Sequence, residues 1–343
     1  MTASDILRQR LHHQRLSSPD FTRPDDVMTW LGAVQAQDYA GAKWAVGQRM
    51  RVATDAALDM ACADGTILRT HVMRPTWHFV APADIRWMLT LTAPRVNARM
   101  APYYRKAELD EAAFRRSHKA LARALRGGRH LAREPLRRAV QRAGMATDGM
   151  RFMFMLIRAE LDGVICSGVR QGKQMTYALL DERVPRTTAL TRDEALAEIT
   201  RRYFVSHGPA TVQDFVWWSG LTTTDAKAGL AMVGRHLVHE AIDGKTYWLS
   251  PSIPPGTRAP RIAYLLPAYD EYLIAYKDRG TAFDMANSDK LRNAQFNSTI
   301  VWDGRVVGTW KRAFEGSAVI VTLSPFAALR NPARRAVTEA AQR

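Results

Sequence analysis

Apolar residues recur at every third or fourth position near the start of the chain, which is the spacing of a helix with one buried face. In the segment PDDVMTWLGAVQ this face carries Val27, Trp30, Leu31 and Val34. Thr22 or Asp25 can cap the helix, because short polar side chains accept hydrogen bonds from the first free backbone N–H groups. The pattern predicts a short helix that is buried on one side.

Three further segments complete a first unit, predicted to span residues 1–115. Asp38 can cap a helix over 39–50, and TDAALDMACADG predicts a helix that ends at Gly65. The segment ILRTHVMRPTWHFV predicts two strands folded about Arg74-Pro75-Thr76. Helices followed by a hairpin are typical of a winged helix-turn-helix unit.

This order of elements returns in a second unit, predicted over 116–190. An amphipathic helix over 117–126 is followed by the helical segments REPLRRAVQRAG and DGMRFMFMLIRAELDG. The segment VICSGVRQGKQMTYALL then predicts a hairpin that turns at Gln171-Gly172-Lys173. The second unit would therefore carry a wing of its own.

A third unit is predicted over 191–252, with a hairpin at Asp243-Gly244, a dipeptide that favours a type I′ turn. The Pro- and Gly-rich segment SPSIPPGTRAPR would link it to a last domain over 261–330, where alternating strands surround the turn Asp303-Gly304. The predicted fold class is α+β: tandem winged helix-turn-helix units and a small, mainly β C-terminal domain.

The charge of the chain favours an anionic partner. The 343 residues include 49 Lys or Arg and 33 Asp or Glu, a formal net charge of +16, and the excess arginine is spread along the sequence. Such a field attracts nucleic acid first and an acidic membrane surface second. No stretch approaches the ~18 apolar residues that a membrane span needs, so we expect no membrane association and double-stranded DNA as the partner.

The cysteine content indicates neither a disulfide framework nor a metal site. Cys62 and Cys166 stand alone, without a CxxC pair or a nearby ligand-type histidine. We therefore expect a reducing, cytoplasmic location, no metal and no cofactor.

The predicted wings supply candidate DNA contacts. A winged unit commonly presents its third helix to the major groove and its wing to the phosphate backbone or the minor groove. In the first wing the candidates are Arg69, His71, Arg74, Trp77 and His78, with Arg74 at the tip. Arg170 and Lys173 are the candidates in the second wing. The alternative is that Trp77 belongs to the core, that the histidines flank it, and that the second wing is a solvated turn.

The segment GAVQAQDYAGAKW places Gln35 and Gln37 two positions apart between two predicted helices. Residues two apart on a regular helix point in nearly opposite directions, so only a broken or extended backbone turns both amides to one site. A carboxamide has one acceptor and two N–H donors, which can hold a water or a sugar oxygen without acting as a base.

Four segments resemble the AlkZ/YcaQ-type winged-helix DNA glycosylase family, which removes alkylated purines and unhooks interstrand crosslinks. They are LGAVQAQDYAGAKWAVGQRM, ILRTHVMRPTWHFVAPADIRWML, LLPAYDEYLIAYKDR and IVWDGRVVGTWKR. The family motif of glutamine, an aliphatic residue and then glutamine or aspartate stands here as Gln35-Ala36-Gln37. The resemblance implies that Gln37 holds the attacking water and that Gln35 helps to orient this water or the deoxyribose.

This chemistry suits a damaged base that is a good leaving group. A purine alkylated at N7 or N3 carries a positive charge, so placing water beneath C1′ supplies most of what hydrolysis needs. The sequence thus predicts a monofunctional, monomeric DNA glycosylase for cationic or bulky alkylpurines, crosslinks among them, with a non-catalytic winged-helix DNA-binding protein as the alternative. Lys43 shows no sign of activation as a lyase nucleophile.

The roles of three carboxylates have more than one interpretation. Asp38 is either a helix cap or the carboxylate that stabilises the sugar cation. Asp270 and Glu271 resemble a metal-binding or acid–base pair at first sight, but they lack a partner triad, and neighbouring residues of a strand point opposite ways. A structural role is the favoured interpretation of this pair.

Overall fold

A computed structural model describes residues 1–186, 188–251, 262–283, 296–316 and 318–342. The predicted linker SPSIPPGTRAPR lies almost entirely outside these described residues. The described chain combines helices with small antiparallel sheets, so the predicted α+β class is confirmed.

The first part of the chain forms helices around a three-stranded sheet. Its elements are α1 (Ala3–His13), α2 (Pro24–Leu31), β1 (Val34–Gln35), α3 (Tyr39–Gly47), α4 (Asp55–Asp64), β2 (Leu68–Val72) and β3 (Arg74–Val80). The strands lie in the order β1, β3, β2 and are antiparallel. Val34, placed on a helix by its spacing, lies instead in β1, because α2 ends at Leu31 and Gly32 follows with a φ of 83°.

The turn of the first hairpin is one position earlier than predicted. Met73 joins the two strands with a φ of 60°, and Arg74 is already the first residue of β3. The prediction of a turn at Arg74-Pro75-Thr76 is therefore wrong. A methionine with a positive φ carries no sequence signal, since this backbone region usually belongs to Gly, Asn or Asp.

The next part repeats the order of helix, short strand, two helices and two strands. Its elements are α5 (Ile85–Lys106), α6 (Glu111–Leu125), β4 (Leu131–Ala132), α7 (Arg133–Arg142), α8 (Arg151–Leu161), β5 (Ile165–Ser167), β6 (Thr176–Leu179) and α9 (Leu180–Arg183). The strand order β4, β6, β5 matches that of the first sheet. The helix α5 belongs to no predicted element, and it connects the core of the first part to that of the second.

A third repetition is shorter. It contains α10 (Arg192–His207), α11 (Val212–Ser219), α12 (Thr223–Val233), a 3₁₀ turn (Gly234–His236), β7 (Val238–Ile242) and β8 (Lys245–Leu249). A single bridge from Ala210 to Trp248 takes the place of the short first strand. The turn between β7 and β8 has φ values of 49° at Asp243 and 73° at Gly244, as the predicted type I′ turn requires.

The last part is a four-stranded antiparallel sheet in the order β12, β11, β10, β9. Its elements are β9 (Ala263–Leu266), α13 (Glu271–Ile274), a 3₁₀ turn (Gly280–Ala282), β10 (Thr299–Trp302), β11 (Arg305–Glu315), β12 (Ala318–Pro325) and α14 (Asn331–Gln342). Asp270 does not lie on a strand but caps α13 by accepting the N–H of Tyr272. The C-terminal helix α14 packs through Val337 on this sheet and was not predicted.

The N-terminal helix α1 packs far from its sequence neighbours. Leu7 and Leu11 are buried with Tyr264, Leu266 and Val301 of the last sheet. The first and last parts of the chain therefore share a core, although the boundaries of the four predicted domains stay predictions.

Candidate active site

The backbone at Gln35 is extended, as the alternation of its side chains requires. Gln35 ends β1 and lies opposite His78 of β3, and the N–H of Ala36 donates to the carbonyl oxygen of Trp77 at 2.7 Å. An extended chain turns successive side chains to opposite sides. Val34 and Ala36 are buried in the core on either side of Gln35, and Gln37 lies in the bend that follows β1 and is exposed. The predicted break between the two helices is confirmed.

The two amides have different surroundings. Nη2 of Arg74 donates to Oε1 of Gln35 at 2.8 Å, and the backbone N–H of Gln35 donates to Oε1 of Glu271 at 2.8 Å. Only 6% of Gln35 is exposed. Gln37 is exposed, and among the described residues it has no hydrogen-bond partner. One amide is thus fixed in place, and the other is open to a ligand.

Asp38 is the N-terminal cap of α3. Its Oδ1 accepts the backbone N–H of Ala40 at 3.2 Å. A cap of this kind satisfies one of the free donors at the start of a helix. The prediction of a capping role is confirmed, while a catalytic role for the same carboxylate has no contact in its favour.

Glu271 is a buried carboxylate directly behind the motif. Besides the N–H of Gln35, it accepts Nε1–H of Trp218 at 3.0 Å on its second oxygen. Burial alone would raise the pKa of Glu271, but His207, Arg74 and the N–H of Gln35 outweigh it and hold this pKa below its usual value. The site therefore contains a buried negative charge that the sequence did not reveal.

Asp270, which precedes Glu271, anchors the other end of the segment over residues 35–49. Asp270 binds Arg49 through two hydrogen bonds, of 2.9 and 3.0 Å, and both side chains are fully buried. Paired N–H donors of arginine match the two oxygens of a carboxylate. Asp270 and Glu271 thus hold residues 35–49 at both ends, which confirms their structural role and adds Glu271 to the site.

Arg69 and Trp77 lie beside the motif and keep partial exposure. Nε of Arg69 donates to the carbonyl oxygen of Ala36 at 3.0 Å, and its guanidinium lies 4.4 Å from the centre of the Trp77 ring. Both side chains stay candidates for a DNA contact.

The two histidines of this hairpin are buried. His71 is 2% exposed, with Nδ1 2.5 Å from Glu160, and its ring lies 4.4 Å from that of Trp77. His78 is fully buried, and burial lowers its pKa to about 3. The DNA contacts predicted for His71 and His78 are therefore corrected, because neither side chain reaches the surface.

Arg74 is not at the tip of the wing. It donates to Gln35 and, over longer distances, to His78 at 3.4 Å and to the carbonyl oxygen of Trp217 at 3.5 Å. The free phosphate contact predicted for Arg74 is corrected, since the guanidinium is engaged inside the site.

The two candidate residues of the second wing have different surroundings. Nη1 of Arg170 donates to Asp59 at 3.3 Å, and its guanidinium lies 4.8 Å from the centre of the Tyr39 ring, which ties this wing to the first part of the chain. Lys173 is exposed in the turn and has no partner among the described residues. Lys173 is thus available to a phosphate, whereas Arg170 is half-buried and paired.

The two helices that precede the first and second hairpins, α4 and α8, do not suit a major groove. The helix α4 carries three aspartates and no lysine or arginine, so phosphates would repel it. In α8 the residues from Phe152 to Leu161 are almost all buried. Which helix lies nearest the duplex stays a prediction, and the composition of α4 and the burial of α8 speak against these two.

Positive charge is concentrated elsewhere. Residues 95–142 contain 14 Lys or Arg and four Asp or Glu, a net charge of +10. Exposed members on α5 and α6 include Arg95, Arg99, Arg115, Lys119 and Arg123. The excess positive charge is therefore concentrated in residues 95–142 and not spread evenly along the chain.

The described residues show neither a cluster suited to a metal ion nor a helix suited to a membrane span. Across the described ranges, no group of three or more His, Cys, Asp or Glu side chains is placed to hold a metal ion. In the same ranges, no helix is both long and apolar enough to cross a membrane.

Comparisons with known proteins agree with one another. The profile of the family described as DNA glycosylase AlkZ-like matches residues 28–343. A curated relative, the interstrand DNA cross-link repair glycosylase of Streptomyces sahachiroi, is 24% identical over 330 residues, which are 89% of this chain and 86% of that protein. The solved structure of Streptomyces sahachiroi DNA glycosylase AlkZ superposes with a TM-score of 0.82 at 21% identity, over 99% of this chain and 95% of that one.

Proposed function

Because the chain belongs to the AlkZ-like DNA glycosylase family, we propose that this enzyme hydrolyses the N-glycosidic bond of cationic or bulky alkylpurines in double-stranded DNA. The observation that carries the proposal is the pair Gln35 and Gln37, which flank the buried Ala36 between α2 and α3, one held by Arg74 and the other exposed. The proposed reaction needs two amides and no carboxylate base.

The chemistry follows from the charge of the lesion. When water attacks C1′, its oxygen bonds to that carbon while the bond from C1′ to the purine nitrogen breaks. The bonding pair leaves with an N7-alkylguanine, which departs as a neutral base, and one proton of the water is released. Because the leaving group is already cationic, orienting the water accounts for most of the required catalysis.

The environment of Lys43 supports a monofunctional enzyme. Its ammonium lies 2.7 Å from Asp55 and 2.8 Å from Asp59, and the side chain is 5% exposed. A lyase nucleophile needs a neutral amine that can reach C1′. The Lys43 side chain is buried and held by two carboxylates, so it is not free to reach C1′. We propose hydrolysis without strand cleavage, by a monomeric enzyme.

Charge and relatives support the choice of substrate. The net charge of +16 suits a polyanion, and Arg69, Trp77 and Lys173 are the side chains we propose for contact with the duplex. Because the relative from Streptomyces sahachiroi is named an interstrand cross-link repair glycosylase, we include crosslinked purines among the proposed substrates. We place the enzyme in the cytoplasm, where DNA is available and Cys62 and Cys166 stay free thiols.

The test is an abasic-site assay. Purified protein is incubated with one duplex that contains N7-methylguanine and with a second that contains an N7-linked guanine crosslink. Release of the base without strand cleavage supports the proposal. Equal binding of damaged and intact duplex without base release would identify a non-catalytic DNA-binding protein instead.

A further inference from the structure

The hydrogen bond between Arg74 and Gln35 fixes which end of the Gln35 amide faces outward. A guanidinium has only donors, so the atom that receives Nη2 of Arg74 at 2.8 Å must be the carbonyl oxygen Oε1. The nitrogen Nε2 then points away from Arg74. The orientation of the Gln35 amide therefore follows from the chemistry of its partner.

His78 supports the same orientation. Its Nδ1–H donates to the carbonyl oxygen of Thr76 at 2.9 Å, and the distance from Nε2 to Nη2 of Arg74 is 3.4 Å. Burial and the charge of Arg74 lower the pKa of His78 to about 3, so the ring is neutral and Nε2 is an acceptor. Two acceptors from paired strands therefore face one nitrogen of Arg74.

Nε2 of Gln35 has no partner among the described residues and is not fully enclosed. No acceptor among the described residues lies within hydrogen-bonding distance of it, and it is not among the buried side-chain atoms that lack a partner. Gln35 thus keeps two N–H donors that no described residue uses, while its carbonyl oxygen is already engaged by Arg74. Gln37 is exposed, and none of the described residues binds either end of its amide, so it can still offer a carbonyl oxygen.

We propose that Arg74 is a positioning residue that engages the carbonyl oxygen of Gln35 and leaves its N–H donors for the substrate, and that Gln37 supplies the carbonyl oxygen that orients the attacking water. This inference rests on the proposed glycosylase function. The donors of Gln35 bind an acceptor atom of the damaged nucleotide, such as a phosphate or sugar oxygen. The two glutamines of the motif therefore have different roles.

Glutamate substitutions distinguish the two roles, because glutamate keeps an acceptor and removes both donors. Gln35→Glu should lose about as much single-turnover excision of N7-methylguanine as Gln35→Ala, on the order of 10²-fold. Gln37→Glu should stay within about tenfold of wild type, whereas Gln37→Ala should not. Near-normal excision by Gln35→Glu, or an equal loss in both glutamate variants, would overturn the assignment.

A double-mutant cycle tests the role of Arg74. Arg74→Met should slow excision in the wild-type background and have little further effect in Gln35→Ala, because Arg74 acts through the amide. Arg69→Met is the matched control: Arg69 donates to the backbone of Ala36, so its effect should multiply with that of Gln35→Ala. Full multiplication in the Arg74 cycle would refute the positioning role.

The same double-mutant cycle can be measured by urea unfolding, which does not depend on enzymatic activity. If the hydrogen bond exists, the loss of the unfolding midpoint in the double variant of Arg74 and Gln35 should be smaller than the sum of the two single losses. Additive losses contradict the geometry. A wild-type enzyme that excises no lesion would refute the proposed function, while the urea cycle would still decide the orientation of Gln35.

Discussion

Glu271 receives the backbone N–H of Gln35 at 2.8 Å although 236 positions separate the two residues in the sequence. The carboxylate thus belongs to the site as fully as the motif does, through the backbone of the motif and not through its amide. The strand that carries Gln35 is held from behind by the last part of the chain.

Glu271→Gln should destabilise the protein although it preserves size. A carboxamide has one acceptor oxygen for the two donors that now share the carboxylate, Gln35 N–H and Trp218 Nε1–H, so one donor remains buried without a partner. Such a group costs about 1–3 kcal/mol. Urea unfolding measures the loss. The control Glu339→Gln, on the exposed side of α14, should change the midpoint little.

Gln37→Ala should lower single-turnover excision of N7-methylguanine by ~10²-fold, which corresponds to about 2.7 kcal/mol of transition-state stabilisation. Duplex affinity should change little, because one exposed amide contributes little to binding beside the phosphate contacts. Rapid-quench kinetics and a binding titration give the two quantities. Excision at the wild-type rate would remove Gln37 from the mechanism.

Asp38→Ala should reduce stability and spare the chemistry. The cap on α3 is lost with the hydrogen bond from Ala40, at a cost of ~1 kcal/mol. The melting temperature and the single-turnover rate are measured on the same preparation. A variant that is folded but inactive would show that the carboxylate, and not the amides, is catalytic.

Stability should fall as the medium becomes acidic. Burial lowers the pKa of His13 to about 4 and that of His78 to about 3, from 6.5 in the unfolded chain. Below pH 6.5 the unfolded state binds protons that the folded state does not. The contribution of the two neutral histidines to the free energy of unfolding is therefore fully present above pH 6.5 and is lost as the pH falls toward 4. For two protons the slope approaches about 2.7 kcal/mol per pH unit.

A single substitution checks this assignment. In His13→Asn the amide can still donate to the carbonyl oxygen of Gly208, as Nδ1 of His13 does when it carries the proton, but the titrating ring is gone. Urea unfolding between pH 4.5 and 7 should show a slope smaller by about one proton. An unchanged slope would mean that His13 does not titrate in this range.

Binding to undamaged duplex should depend strongly on salt. If ~5 phosphates are neutralised, the logarithm of affinity should fall with that of salt concentration at a slope near −4 to −5. Lys173→Ala should reduce the slope by about one, because Lys173 is exposed and has no other partner among the described residues. A slope near zero in a fluorescence titration would exclude the phosphate backbone as the main contact.

The preferences of a few neighbouring residues were sufficient to predict part of the fold and of the site. Asp38 was identified as a cap because a short polar side chain precedes a helical pattern, and the turn at Asp243-Gly244 because that dipeptide adopts positive φ values at low cost. Both features depend on a few neighbouring residues. The break of the helix before Gln35 belongs to the same class.

The rest of the site depends on tertiary contacts. The position of Arg74 depends on the positive φ of Met73, a residue type that does not favour it, and the shift by one residue moves Arg74 from the tip to the amide of Gln35. Glu271 reaches Gln35 only after the last part of the chain has packed on the first. Periodicity and turn preferences contain no information about either contact.

The pairing of Asp270 with Arg49 and of Glu271 with Gln35 also determines when the enzyme becomes competent during its synthesis. A ribosome delivers the glutamines more than two hundred residues before their anchors. Until residue 271 has left the exit tunnel, the strand is unanchored and the guanidinium of Arg49 has no counter-charge. The nascent N-terminal part therefore cannot complete the anchored strand that carries Gln35, and the proposed site forms only in a nearly finished polypeptide.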